Sequence, residues 1–357
     1  MQYSIQQYLL LGFVTLVLVG ILTPVMRSIA MRIGAVDAPN MSRKIQKEPV
    51  PYLGGVAISF GVVLISYAAL MYSNNSMHNF ELASSVLLPA IAISTMGLVD
   101  DLKGLQPWPR LLAQTAAGLA VAVVLISTNT IGTPFHNRLI DGGMTVFWVV
   151  GVCNAINFFD NLDGGAAGTV AVTSVFLFLI AYDRQQILVS ALAIVTAGAT
   201  LGFLFWNRSP AKIYMGDAGS LFLGVIVSVL TIRLDPGIAS RKLSLSIPLA
   251  LLAVPIMDTT VAVCSRIKRG ISPFEGGRDH LSHRLMRIGF GRRRAAIALW
   301  GLTAIFGEIA YVIYKVPQTL GYPFLYGGGT LWLILTIGFF IIPATDQPLP
   351  NEGILAP

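Results

Sequence analysis

Apolar runs recur along this chain at a length that a water-soluble core does not need, and they leave few folds open. A helix needs about 20 mostly apolar residues to cross a bilayer, within a range of about 17–25. Eleven stretches approach that length: 7–26, 53–72, 82–99, 110–127, 143–157, 165–182, 187–206, 220–234, 245–264, 295–314 and 322–342. The fifth and eighth are short and read as tilted, or enclosed by their neighbours. With 55% hydrophobic and 11% charged residues and a mean hydropathy of +0.72, the expected fold is an all-α polytopic membrane bundle. It forms one domain over residues 1–342, followed by a short tail over 343–357. Residues 1–8 carry no charged side chain, so the first run reads as a retained helix and not as a cleaved signal. Cys153 and Cys264 lie far apart and suggest neither a disulfide nor a metal pattern.

The basic residues set an orientation. With the N-terminus outside, eighteen of the 24 Lys and Arg residues fall on inner segments. That bias places the C-terminus in the cytoplasm. In the same orientation every polar motif falls on the inner side. The outer loops have no comparable motif; His78 and His136 lie there and read as ordinary surface residues.

The densest motif is Asn154-Ala-Ile-Asn157-Phe-Phe-Asp160-Asn161-Leu-Asp163-Gly-Gly165, between the fifth and sixth runs. Asn157 and Asp160 are three apart and share a face on a helix. Asp163 lies beyond, where Gly164 and Gly165 suggest that the helix has ended. A helix cap with a solvated loop would explain it blandly. Polar groups at this density are costly at a membrane boundary, however, and suggest a site for a cation or polar ligand.

Asp100, Asp101, Asp160, Asp163 and Asp217 put five carboxylates on one membrane face. Each alone reads as a loop charge; together they suit a hard cation, Mg²⁺ or Mn²⁺, and not zinc. Mg²⁺ takes one or two protein carboxylates and completes its shell with phosphate oxygens. A nucleotide diphosphate is therefore the expected substrate class. Lys47, Lys103, Lys212, Arg278 and Arg284 are candidate phosphate clamps, although most loop cations only mark topology. Gly216-Asp217-Ala-Gly219-Ser220 opens the eighth run and offers an anion the free amides of a helix N-terminus. His280 and His283 stand three apart among arginines. They fit phosphate hydrogen bonding better than a metal pair. Asp258 is either a helix-packing residue or part of the site. No Walker sequence and no dinucleotide fingerprint appears, which argues against ATP hydrolysis and nicotinamide chemistry.

Several of these motifs, in this order, resemble the polyprenyl-phosphate N-acetylhexosamine-1-phosphate transferase family. They are Pro51-Tyr-Leu-Gly-Gly55, Asp100-Asp101, Asn154-x-x-Asn157-x-x-Asp160-x-x-Asp163-Gly164, Gly216-Asp217-x-Gly219-Ser220 and His280-x-x-His283-Arg284-Leu285. The resemblance covers most of the membrane region and implies a reaction. Undecaprenyl phosphate would attack the β-phosphate of a UDP-N-acetylhexosamine, most simply UDP-N-acetylglucosamine, and UMP would leave. It implies Mg²⁺ on Asp217, with Asn157 and Asp160 in the metal- and nucleotide-binding block alongside Asp163. Asp100 and Asp101 would place metal and lipid phosphate, and His280, His283 and Arg284 would lie near the diphosphate and sugar. The catalytic set so implied is Asp100, Asp101, Asp160, His280 and His283. Partners would be the UDP-sugar, the lipid and the bilayer of the inner (plasma) membrane, with no nucleic acid, and a homodimer is the assembly that the family suggests.

Ser282 departs from the His-x-His-His-Arg pattern of the N-acetylglucosamine subgroup. That leaves the sugar open, with UDP-N-acetylmuramoyl-pentapeptide or another UDP-N-acetylhexosamine as alternatives. A phosphate monoester is already largely dianionic near pH 7, since its second pKa is about 6. Asp100 and Asp101 are therefore expected to organise charge and not to accept a proton. A secondary transporter is the competing reading, but its site would lie near the bilayer midplane between repeated halves. A scaffold without catalysis would not need the intact aspartates.

Overall fold

The computed structural model describes residues 3–37, 49–72, 77–128, 137–273 and 276–344. Thirteen helices and one short hairpin make up its regular structure: α1 (Ile5–Ile33), β1 (Val36–Asp37), β2 (Val50–Pro51), α2 (Gly54–Tyr72), α3 (Met77–Lys103), α4 (Pro107–Ser127), α5 (Arg138–Phe159), α6 (Gly165–Asp183), α7 (Ile187–Asn207), α8 (Gly216–Arg233), α9 (Arg241–Leu251), α10 (Ala253–Lys268), α11 (Leu281–Arg287), α12 (Arg292–Lys315) and α13 (Gln318–Ile341). β1 and β2 pair antiparallel, Val36 opposite Pro51.

Among the described residues, ten helices are long and apolar enough to cross a bilayer, and the bent pair α9–α10 makes an eleventh span. The chain is a multi-pass membrane protein. Two expectations need correction. The fifth span is not short, because α5 begins at Arg138 and runs for 22 residues. The ninth is not one helix: α9 and α10 meet at Leu252 with a 73° bend. Pro248 lies inside α9 and Pro255 in the first turn of α10. A proline removes a ladder hydrogen bond and clashes with the carbonyl one turn back, so the break has a visible cause in the sequence.

α8 is the most enclosed helix, buried along nearly its whole length and packed by α2, α3 and α5. Between lipid-like surfaces close packing replaces the hydrophobic drive, and small residues permit it. A Cβ on Gly198 would stand 2.1 Å from the Gly12 carbonyl, where α7 crosses α1. A Cβ on Gly55 would stand 2.1 Å from the Gly219 nitrogen, where α2 meets α8. Buried hydroxyls turn back on their own helices, as Thr15 to the Leu11 carbonyl at 2.7 Å and Thr196 to the Leu192 carbonyl at 2.7 Å. No water is available in hydrocarbon to satisfy them.

The alternating course of the spans brings the C-terminal ends of α3, α5, α7 and α10 to one end of the bundle. The N-terminal ends of α8 and α12 meet them there around a shared cavity. The opposite end holds peripheral ion pairs, Lys315 with Asp183 and Arg184 with Asp235.

Gly55→Ala is expected to lower thermal stability in detergent, because overpacking of this kind costs roughly 1–3 kcal/mol. Gly143→Ala, whose Cβ would meet nothing within 4 Å, is the control and should leave the melting temperature unchanged or slightly raised.

Candidate active site

The site is built on the first turn of α8. The Pro51–Gly55 segment runs beside the segment before α8. Tyr214 N donates to the Pro51 carbonyl at 2.7 Å, Gly54 N to Tyr214 at 3.0 Å and Gly55 N to Met215 at 2.8 Å. Gly216 then turns with φ +71°, a conformation that glycine adopts without penalty. A Cβ there would also stand 2.5 Å from the Asp101 carboxylate.

That carboxylate accepts from the amides of Asp217 and Ala218 at 2.9 and 3.1 Å. The anion that a helix N-terminus favours is thus supplied by the chain itself. This corrects the expectation that those amides await a ligand. Asp217 is fixed in turn: Oδ1 accepts from Asn157 Nδ2 at 2.7 Å and Oδ2 from Arg110 Nη1 at 2.9 Å. The same Arg110 nitrogen lies 2.9 Å from Asp100 Oδ2, while Asp100 Oδ1 accepts from the Leu105 amide at 2.5 Å. The adjacent aspartates therefore differ in place. Asp101 lines the cavity, whereas Asp100 is buried and does not.

α5 ends at Phe159, and the Asp160 amide closes its last turn onto the carbonyls of Ile156 and Asn157. The loop is held by Gly164 N donating to Asn207 Oδ1 at 2.9 Å and by the Ala211 amide donating to Asp163 Oδ2 at 3.2 Å. Burial pushes the Asp160 carboxyl up to about 7, and the neighbouring Asp217 and Asp163 add to the shift. Tyr214, which also lines the cavity, is raised by burial and then by Asp163 and Asp37.

The facing wall is basic. Asp258 accepts from His280 Nδ1 at 2.7 Å and from the Leu281 amide at 2.7 Å. His280 Nε2 lies 3.2 Å from Arg266 Nη2. An arginine only donates, so Nδ1 carries the proton and Nε2 accepts. Arg266 Nε completes the chain with Asp279 Oδ2 at 2.7 Å, and Arg269 bonds the other oxygen. Asp258 thus joins the site through His280. His283 is held down at about 3 by burial, reinforced by His280, Arg278 and Arg287. Ser282 bonds the Asn161 side chain, tying α11 to the loop after α5.

The cavity encloses about 540 Å³. It unites Asp101, Asn157, Asp160, Asp163, Asp217, Arg278, His280 and His283 of the expected residues. It does not unite all of them. Lys47 lies outside the described residues. Lys103 is exposed and does not line the cavity. Lys212 is exposed as well, with its ammonium 5.4 Å from the Trp206 ring centre. Arg284 is buried and holds the end of α13 instead. Arg266, Tyr214, Tyr52 and Arg292 also line the cavity, and Arg110 holds Asp217; sequence reasoning missed all five as site residues. The arginines were indistinguishable from topology charges. Tyr214 stood beside the Gly216-Asp217 motif, which was its only signal.

Among the described residues no three His, Cys, Asp or Glu side chains are grouped to hold a metal by themselves. The donor set still fits a magnesium ion. Asp100 and Asp217 turn one oxygen each toward a single cationic nitrogen at 2.9 Å, and Asp160 lies close enough to feel the charge of Asp217. The donors are all oxygens, with Arg110 as their present counter-charge, and such a set would share a hard cation with phosphate oxygens.

A family model described as glycosyl transferase family 4 matches residues 83–235. The chain is 35% identical over 340 residues to a probable undecaprenyl-phosphate N-acetylglucosaminyl 1-phosphate transferase of Bacillus subtilis, covering 92% of this chain and 87% of that protein. It is 30% identical over 347 residues to a decaprenyl-phosphate N-acetylglucosaminephosphotransferase of Mycolicibacterium smegmatis, covering 88% and 84%. A phospho-N-acetylmuramoyl-pentapeptide-transferase of Streptococcus thermophilus is 29% identical over 215 residues, covering 55% and 62%.

The raised Asp160 carboxyl has a consequence for stability. Between its ordinary 3.8 and about 7 the folded protein binds more proton here than the unfolded chain. The contribution of this group to stability therefore falls as pH rises through that interval. Melting curves in chelator from pH 4 to 8 should show wild type losing stability relative to Asp160→Asn, with the gap opening below pH 7 and levelling above it.

Proposed function

The chain belongs to the polyprenyl-phosphate N-acetylhexosamine-1-phosphate transferases of glycosyl transferase family 4, and we propose that it moves N-acetylglucosamine 1-phosphate from UDP-N-acetylglucosamine onto undecaprenyl phosphate. A lipid phosphate oxygen bonds to the β-phosphorus of the donor. The bond from that phosphorus to the bridging oxygen breaks, and the oxygen leaves with UMP. Undecaprenyl diphosphate N-acetylglucosamine remains in the membrane.

The observation that carries this reading is the pairing of an acidic wall with a basic wall across one cavity at one end of the bundle. A long isoprenoid cannot leave the bilayer cheaply and a UDP-sugar cannot enter it, so their reaction belongs at an interface. Asp217, Asn157 and Asp160 would hold Mg²⁺. Bound there, the ion would neutralise diphosphate oxygens and withdraw charge from the reacting phosphorus. Asp101 keeps α8 in register, so that Asp217 presents a fixed carboxylate. Arg110 neutralises Asp100 and Asp217 until substrate arrives. Asp163 and Tyr214 border the space for the nucleotide. Arg266 and Arg278 face the diphosphate from the other wall. His280, with its proton on Nδ1, orients Arg266, and His283 offers a neutral imidazole to the sugar phosphate. Charge neutralisation and in-line placement supply the rate.

The basic bias of the segments at this end supports a cavity on the cytoplasmic face of the plasma membrane, with the N-terminus outside.

The test is UMP release by purified protein in detergent. Release should require undecaprenyl phosphate, Mg²⁺ and UDP-N-acetylglucosamine, and Asp217→Ala should lower it by roughly 100-fold or more. Release only with another UDP-N-acetylhexosamine, the muramoyl-pentapeptide form included, would keep the chemistry and change the donor. No release with any donor would overturn the reading.

A further inference from the structure

α13 lends no residue to the cavity, yet it is tied to the histidine wall at two points. The first is its C-terminal end. The last carbonyls of a helix have no partner within it and carry the negative end of its dipole. Here they are gathered by one buried guanidinium: Arg284 Nη1 donates to the carbonyls of Phe339 at 2.9 Å and Phe340 at 3.3 Å, and also to that of Ile342. Arg284 Nε donates to the Asp279 carbonyl at 2.8 Å, in the turn that leads into His280. Only Nη2 is without a partner among the described residues. The Lys268 ammonium, 5.3 Å from the Phe340 ring centre, holds the same end against α10.

The second point is the break in the ninth span. Trp332 Nε1 donates to the Ala253 carbonyl at 2.9 Å, at the start of α10. Between the two ties lies the scaffold of the basic wall: α10 with Asp258 and Arg266, the turn with Asp279, and α11 opening at His280.

We propose that Arg284 is a positioning residue for the transfer reaction: it fastens the end of α13 to the Asp279–His283 turn, so that the last spanning helix braces the wall carrying Arg266 and His280. This rests on the transferase reading above. It departs from the role of substrate ligand that the motif alone suggests for Arg284. Asn157, Asp160, Asp163 and Tyr214 belong to α5, the loop after it and the α7–α8 loop, whereas α13 packs on α9, α10 and α12. α10 also packs on α5, and Ser282 holds Asn161, so loosening the brace releases the basic wall on its α13 side alone and misplaces groups aimed at the reacting diphosphate.

The test uses the full-length protein in detergent, with kcat and KM for UDP-N-acetylglucosamine and hydrogen exchange over residues 277–288. Arg284→Gln should lower kcat about 10–100-fold, with KM within about threefold of wild type, and should speed exchange over that segment while α5–α8 stay protected. Arg284→Lys keeps a donor for the carbonyls and should recover most of the lost kcat. Trp332→Phe, which removes only the N–H at the other tie, should shift kcat in the same direction by a smaller factor; it serves as the test if the Arg284 variants fail to fold. A KM for the sugar nucleotide raised more than about tenfold in Arg284→Gln at unchanged kcat would make Arg284 a substrate ligand and overturn the proposal. So would wild-type exchange in Arg284→Gln, or wild-type kcat in Trp332→Phe. If wild type releases no UMP, the transferase reading fails, and the exchange measurements still decide whether the brace exists.

Discussion

A carboxylate bound by the first free amides of the most enclosed helix is the contact on which the site depends. Asp101 at the end of α3 caps α8 through the amides of Asp217 and Ala218. Buried helix ends need such a partner, since an unpaired amide away from water is costly. The cap also fixes the height of α8 against α3. The contact needs close approach, and glycine at positions 55, 97, 216 and 219 permits it: a Cβ at any of the four would fall within 2.6 Å of a neighbouring atom. Much of the small-residue patterning at this end thus serves one electrostatic contact.

From that anchor the cavity divides into walls of opposite character. The acidic wall crowds carboxylates together, with Arg110 as the cation shared by Asp100 and Asp217. Burial raises the cost of ionisation and crowding of like charges adds to it, and Asp160 shows both. The basic wall is a chain of buried pairs from Asp258 through His280 and Arg266 to Asp279. Burying such pairs gains little stability by itself, because desolvation offsets attraction. What it secures here is orientation, with every member held by at least two partners and Arg266 lining the cavity.

The helices that carry these walls differ in support. α8 and its neighbours form the interior, whereas α10 and α11 lie beyond a broken span. A wall of this kind needs fastening from outside; α12 packs along it, and α13 reaches both its ends through Arg284 and Trp332. The break falls at Leu252, between Pro248 and Pro255, and Arg266 near the other end of α10 lines the cavity.

The sequence by itself determined the number of spans, their approximate places, the gathering of polar motifs at one end and the identity of most acidic site residues. Apolar length and isolated carboxylates are local signals, and the bilayer makes both expensive to misplace. The tertiary structure alone decided which charges work together. Arg110 and Arg266 looked like any loop cation until packing brought them to Asp217 and His280. Arg284 stood inside a recognised motif, yet its guanidinium turns to the carbonyls of a helix more than fifty residues later. Asp100 and Asp101, adjacent and alike in sequence, point along different directions of one helix end and meet different partners. Residue type and spacing fix what a side chain can bond, but only the packing of distant helices fixes which partner lies within reach.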